Sequence, residues 1–360
     1  EISKMAESRY DADLSSSGPE SYDSDLSSTG TESSSAISTF SRKNCKFRSK
    51  ASDWTLDHLI KIGVEYDENF TVLETFMSKV KTENIDRSLG IVPPICRTLK
   101  QLTIENWTFS YNFELDKGSG IKDAMEKTEK AIEELENEQE MQEKVTQEDG
   151  QNLRLYYIWR FNVLNFWRYF LTLLARWGKP QREGRYTNLL MAFSKIFFLY
   201  PETGESVRDD ICIKDSNVHG TPAIRYMTMA NETSQLLTVT EVKQYNAFRG
   251  EYNAEAFTFK NVSKKVLGQH GIKLVMEASE SYFFPYVVGL LCIGTKIIFT
   301  YLYIEREDYY RIKEKGCIQK PRKATISYTR PFDFMDANDR QYIMDTFFWF
   351  GFVQSHGYKY

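Results

Sequence analysis

Residues 220–243 read GTPAIRYMTMANETSQLLTVTEVK. A Gly-Thr-Pro turn opens the stretch, and an extended run follows from Ile224 to Met229. The chain then turns through Ala230, Asn231, Glu232, Thr233 and Ser234 and returns on an almost wholly apolar and β-branched run, Leu236 to Val242. Turn residues between two strand-like runs predict a β-hairpin. The second run is apolar on both faces, the pattern of a central strand covered on both sides. It closes on Glu241-Val242-Lys243. Residues two apart on a strand share a face, so Glu241 and Lys243 should project together while Val242 enters the core. A carboxylate so placed can hold Mg²⁺ or Mn²⁺, and an ammonium beside it can orient a water or offset charge growing on a phosphate. Alone, Glu-x-Lys is a common pairing at a solvated strand end, so its surroundings must carry any assignment.

Those surroundings alternate helix and hairpin. Upstream, 153–177 carries aromatics at Tyr156, Tyr157, Trp159, Phe161, Phe166, Trp167, Tyr169 and Phe170, enough to cover most of a helix and predict a buried scaffold. Its four arginines fit either a nucleic-acid surface or side chains that snorkel from a packed helix. A second helix is expected over 183–200, with Leu189, Leu190, Phe193, Ile196 and Phe197 at helical spacing. Downstream, 262–277 reads as a helix, and 286–291 with 296–304 as a hairpin around Ile293-Gly294-Thr295. The expected fold class is therefore α/β, an α/β/α sandwich on a mixed sheet.

A hairpin that opens on Gly-x-Pro-x and closes on Glu-x-Lys resembles the core of the PD-(D/E)XK nuclease superfamily, the restriction-endonuclease-like core, and within it the crinkler-like and fungal nuclease-like branches. Pro222, Glu241 and Lys243 match the pattern, and the likeness covers roughly residues 150–310. It implies a metal-dependent endonuclease acting on DNA ahead of RNA, with Mg²⁺ or Mn²⁺ held by Glu241, by Glu183 at the start of the upstream helix and by the Val242 carbonyl. Lys243 would position the attacking water, and Gln269 on the following helix would contact phosphate or the lysine. For Glu183, complementing the helix dipole is the competing role; for Gln269, it is simple exposure. The pattern also asks for an acid directly after the proline, where this chain has Ala223. Its absence should abolish or gravely weaken metal binding. Ala223 is either a natural departure, giving a nuclease-like module that binds nucleic acid or protein, or an Asp→Ala change that disables a toxic enzyme. The residues Glu1 to Lys4 ahead of Met5 suit the second explanation.

Net charge is −4, which does not announce a nucleic-acid binder, but the acids gather in the N-terminal tail and in 123–149, leaving the remainder nearer to basic. Residues 1–50, rich in Ser, Asp and Glu, are expected to be disordered. They end on Arg42, Lys43, Lys46, Arg48 and Lys50, a cluster suited to a solvated linker, nuclear import or phosphate contact. A helical region is expected over 51–117, a charged insertion or exposed helix over 118–150, and the nuclease-like domain over 151–360. Five scattered cysteines without Cys-x-x-Cys, and four histidines without finger spacing, exclude a zinc finger and fit free thiols in a reducing compartment. No stretch reads as a membrane span. The expected setting is intracellular, nuclear ahead of cytoplasmic, for a chain that could be a delivered effector and a homo-oligomer.

Overall fold

The computed structural model describes residues 47–82, 94–113, 120–136, 153–176, 183–203, 209–230, 233–250 and 254–356. The expectation of disorder over 1–50 falls, save for the last four residues, outside the described residues. In chain order the elements are α1 (Leu56–Ile62), β1 (Val64–Tyr66), α2 (Leu73–Thr82), α3 (Pro94–Asn106), α4 (Ile121–Glu136), α5 (Leu153–Ala175) and α6 (Glu183–Ile196). There follow β2 (Glu202–Thr203), β3 (Asp209–Ile213), β4 (Ser216–Gly220), β5 (Ile224–Ala230), β6 (Thr233–Lys243) and α7 (Lys264–Met276). The chain continues with β7 (Tyr286–Ile293), β8 (Lys296–Tyr303), α8 (Arg306–Lys315), β9 (Ala324–Tyr328), β10 (Phe332–Asp333) and α9 (Ala337–His356).

The hairpin of 220–243 is present: β5 and β6 pair antiparallel from Ile224↔Thr240 to Ala230↔Thr233, with a bulge at Tyr226/Met227. From β6 the chain crosses through α7 to β7, which runs parallel to β6 from Val239↔Gly289 to Lys243↔Ile293. β7 returns as β8 through Gly294 at φ 64°. Only glycine fits that turn, because φ is positive and a Cβ would lie 2.2 Å from the Tyr245 ring. The sheet has eight strands in the order β1-β9-β8-β7-β6-β5-β2, with β10 added on β8, while β3 and β4 form a separate two-stranded hairpin.

Alternation along β7 divides the core in two. Tyr286, Val288, Leu290 and Cys292 join the cluster that includes α5, α6 and α9, whereas Val287, Leu291 and Ile293 join the cluster that includes α1 and α7. The sheet is thus mixed and covered by helices on both faces, as the α/β expectation required. The central strand β7 is buried at all eight positions.

The region expected as helical over 51–117 contributes a strand to this sheet. β1, from within 51–117, pairs parallel with β9 (Val64↔Ala324), and the described residues belong to one compact unit. Of the charged stretch 118–150, read as an insertion or an exposed helix, residues 120–136 are described and form α4, which is exposed except along one stripe. Ala124, Thr128, Ala131 and Leu135 form a buried stripe, and Arg160 of α5 donates to the Leu135 carbonyl at 2.7 Å while Arg168 meets Glu136 at 3.1 Å. Two of the α5 arginines therefore hold the last described residues of α4.

Several elements differ from expectation. The alternation over Trp107–Phe113 reads as a strand or an extended segment, and these residues pair in no strand; Trp107 lies 4.5 Å from the Trp167 ring and under the Arg340 guanidinium at 3.7 Å, and Arg340 donates to the Trp107 carbonyl at 2.7 Å. Residues 201–219 are polar enough to read as a connection, yet they hold most of the β3–β4 hairpin, and residues 321–331, which read as a connection between Pro321 and Pro331, contain β9. The aromatic run over Arg340–Phe352 reads as a closing helix, and that helix begins earlier, at Ala337, because Asp336 accepts the N–H groups of Asn338 and Asp339 at 3.0 and 3.1 Å. Among the described residues, no helix is long and apolar enough to cross a membrane.

Candidate functional site

The site forms where the ends of β6 and α6 meet the inner face of α7. Ser263 caps α7 by accepting the Val266 N–H at 3.3 Å, and every residue from Val266 to Met276 is buried. Two glycines let α7 lie that deep. A Cβ on Gly268 would stand 2.3 Å from the Thr55 backbone, and one on Gly289 of β7 would stand 2.7 Å from Leu274 and 3.0 Å from His270. The helix is thereby pressed between the N-terminal turn and the sheet, and residues facing β6 must find partners there or leave water uncompensated.

Lys273 is such a residue. Its Nζ donates to Glu241 Oε2, while Glu241 Oε1 meets Lys243 Nζ at 2.8 Å. Lys243 Nζ in turn donates to Glu183 Oε2 at 3.2 Å. The chain Lys273–Glu241–Lys243–Glu183 runs from inside to outside: side-chain exposure is 10 % and 5 % for Lys273 and Glu241, 17 % for Lys243 and 49 % for Glu183. Two carboxylates and two ammoniums leave it with no net charge. Burial alone would raise the Glu241 carboxyl, but the charges of Lys273 and then Lys243, with their hydrogen bonds, hold it below its ordinary value. Burial would likewise lower the Lys243 ammonium, and Glu241 and Glu183 together hold it above its usual value. Beside them, His270 is pushed down to about 4, chiefly by burial, with its Nε2 2.8 Å from the Thr300 hydroxyl; the imidazole is neutral. Arg225 on β5 pairs with Glu277, just past α7, at 2.5 Å, both buried.

Of the residues singled out in the sequence, Glu183, Glu241 and Lys243 are brought into one hydrogen-bonded chain although 60 residues separate the first from the last. Val242 places its side chain in the core and its backbone opposite Cys292 in the β6–β7 ladder. Ala223 donates its N–H to the Thr240 carbonyl at 3.1 Å, next to Glu241 in the chain, and is half-buried against the core. Gln269 turns to the N-terminal segment, its amide donating to the Ser52 carbonyl at 2.6 Å.

The donor set does not fit Mg²⁺ or Mn²⁺. Both Glu241 oxygens are engaged by ammoniums, Glu183 binds Lys243 from the solvent side, and Ala223 offers no side-chain oxygen. Hard divalent ions require several oxygens directed at one point, and among the described residues no group of three or more His, Cys, Asp or Glu side chains converges.

Sequence reasoning passed over Lys273 and His270 as site residues. Lys273 lies one turn after Gln269 in the sequence, but Gln269 turns to Ser52 and Lys273 to Glu241, so spacing along the helix does not identify it. Neither a protein-family model, nor a curated protein, nor a solved structure matches the chain.

Proposed function

We propose that this chain is a nuclease-like α/β domain that binds nucleic acid at the C-terminal end of β6 and, with alanine at position 223, does not cut it. The observation that carries this is the convergence of Glu183, Glu241 and Lys243, from two elements far apart in the chain, at the end of a central strand. The order α6, β5–β6 hairpin, α7, β7–β8 hairpin supports it, being the order that the likeness to PD-(D/E)XK nucleases implies. Hydrolysis of that type needs a carboxylate where Ala223 stands, so endonuclease activity is not assigned to this chain as it is.

Binding needs no metal. Glu183 is the outermost member of the ionic chain, and a phosphate oxygen takes its place on Lys243 by exchanging one anion for another. Glu241 and Lys273 stay paired beneath. The substrate class is a phosphodiester backbone, DNA ahead of RNA, read by charge and not by base.

Fluorescence anisotropy with labelled single- and double-stranded DNA and RNA, in EDTA and again in Mg²⁺, tests this. DNA binding should need no Mg²⁺ and be at least as tight in EDTA, and Lys243→Ala should weaken it on all sequences and reduce the slope of log K against log salt by about 1. A folded chain that binds neither DNA nor RNA in low salt would rule the proposal out.

A further inference from the structure

Lys273 is the feature of the site that the likeness to nucleases leaves without a role. It lies in a helix buried on all sides from Val266 to Met276, where an ammonium is costly unless an opposite charge meets it. Its partner is the one buried carboxylate of the site, Glu241, and the contact takes the oxygen that Lys243 leaves. Any other cation approaching Glu241 must displace one of two lysines. The neighbouring His270 ring is hydrogen-bonded to Thr300, and Arg225 is paired with Glu277. The positive charge facing Glu241 from α7 is therefore that of Lys273.

We propose that Lys273 is the resident cation of this site: its ammonium stands at Glu241 where a nuclease would hold a divalent ion, and it closes the carboxylate to Mg²⁺ and Mn²⁺. The inference rests on reading Glu241 as the place of a metal-holding acid. It has a consequence for position 223. Ala223→Asp alone adds an oxygen but leaves both Glu241 oxygens engaged, so it creates no metal site. Ala223→Asp together with Lys273→Gln supplies a second carboxylate and removes the ammonium from one oxygen of the first.

The experiment is a Mn²⁺ titration followed by electron paramagnetic resonance, with thermal unfolding of the same samples after removal of trace metal. The chain as it stands and Ala223→Asp should hold no Mn²⁺ up to about 1 mM. The double variant should bind roughly 10-fold or more tightly than either, unfold at a higher temperature in Mn²⁺, and lose both properties when Glu241→Gln is added. Mn²⁺ bound by Ala223→Asp as tightly as by the double variant overturns the proposal, and so does a folded double variant that binds none. Should Lys273→Gln prevent folding, the neutral pair Glu241→Gln/Lys273→Gln decides. Recovery of cooperative unfolding shows that the charge of Lys273 is there to answer Glu241; failure to recover overturns the proposal. DNA binding in EDTA is a separate measurement. A chain that shows the Mn²⁺ pattern and binds no nucleic acid keeps its resident cation and loses the nucleic-acid assignment.

Discussion

Asp333 and His270 are buried groups whose neutral forms the fold favours, and they titrate with opposite sign. Burial pushes the Asp333 carboxyl up to about 6, partly countered by hydrogen bonds from Thr295 and the Met335 N–H and by Lys296. From about pH 4 to 6 the folded chain then holds more protons than the unfolded one, so Asp333 removes stability as pH rises through that window. His270, pushed down to about 4, does the reverse: between about pH 6.5 and 4 the unfolded chain holds more protons, and stability is lost as pH falls. Each shift spans two pKa units or more, on the order of 3 kcal/mol, and the two largely cancel in the shared window. Asp333→Asn keeps an oxygen to accept the Met335 N–H, 3.0 Å away in the parent, and removes only the Asp333 contribution. It should raise stability at pH 7.5 by about 2 kcal/mol and make unfolding temperature fall more steeply between pH 6 and 4. Unfolding curves over pH 3.5–7.5 check both, and an unchanged slope would show that Asp333 does not titrate in this window. Glu241 behaves as a paired acid instead. Its carboxyl is held below the ordinary value, so its contribution is present above about pH 4.5 and disappears as pH falls through its lowered value.

Among the helices, α6 and α7 show how differently one substitution acts in two settings. Gly184, in the first turn of α6, has nothing within 4 Å of where a Cβ would stand, whereas on Gly268 of α7 the Cβ would meet the Thr55 backbone at 2.3 Å. Gly184→Ala should therefore stabilise by up to about 1 kcal/mol through helix propensity. Gly268→Ala must push α7 off the N-terminal turn, costing about 1–3 kcal/mol and loosening the Lys273–Glu241 contact. Urea unfolding of the two variants tests this, and equal effects would contradict the packing described for α7. Legibility follows the same divide between local and distant partners. The β5–β6 hairpin could be read because its turn and both strands lie within 24 residues, and α5 because aromatics fill its surface. β1 and β9 could not be read: each is short, and they pair across 260 residues (Val64 with Ala324). The buried stripe of α4 is made of Ala, Thr and Leu, too small a signal against its many charges. Glu241 and Lys243 could be read from strand alternation, but Lys273 meets Glu241 only through the crossover of α7. Nothing in the helix sequence marks which of its polar residues turns inward.

For the molecule as a whole, the question is whether 151–360 stands without what precedes it. Its composition suggests a separate domain, but its packing does not. α1 and β1 bury Leu56, Leu59, Ile62 and Val64 in the core that holds α7, and Tyr66 donates its hydroxyl to the Leu267 carbonyl at 3.0 Å. On the opposite face, α2, α3 and α4 contribute Phe76, Leu99 and Leu135 to the other core. Burying one such side chain is worth about 1.5–3 kcal/mol, so removing the four of α1 and β1 alone takes away on the order of 6–12 kcal/mol, comparable to the whole stability of a typical domain. The loss also uncovers β9 as a sheet edge and the outer face of α7. A fragment of residues 151–360 should thus show no cooperative unfolding in calorimetry, whereas residues 47–356 should unfold in one transition. A sharp transition in the short fragment would make the N-terminal elements an appendage. Supplying residues 47–136 as a separate chain is the complementary arm. If the N-terminal elements complete the sheet, mixing the two should restore both the transition and the burial of Lys273, because Thr55, Leu59 and Ser52 hold the outer side of the helix that carries it.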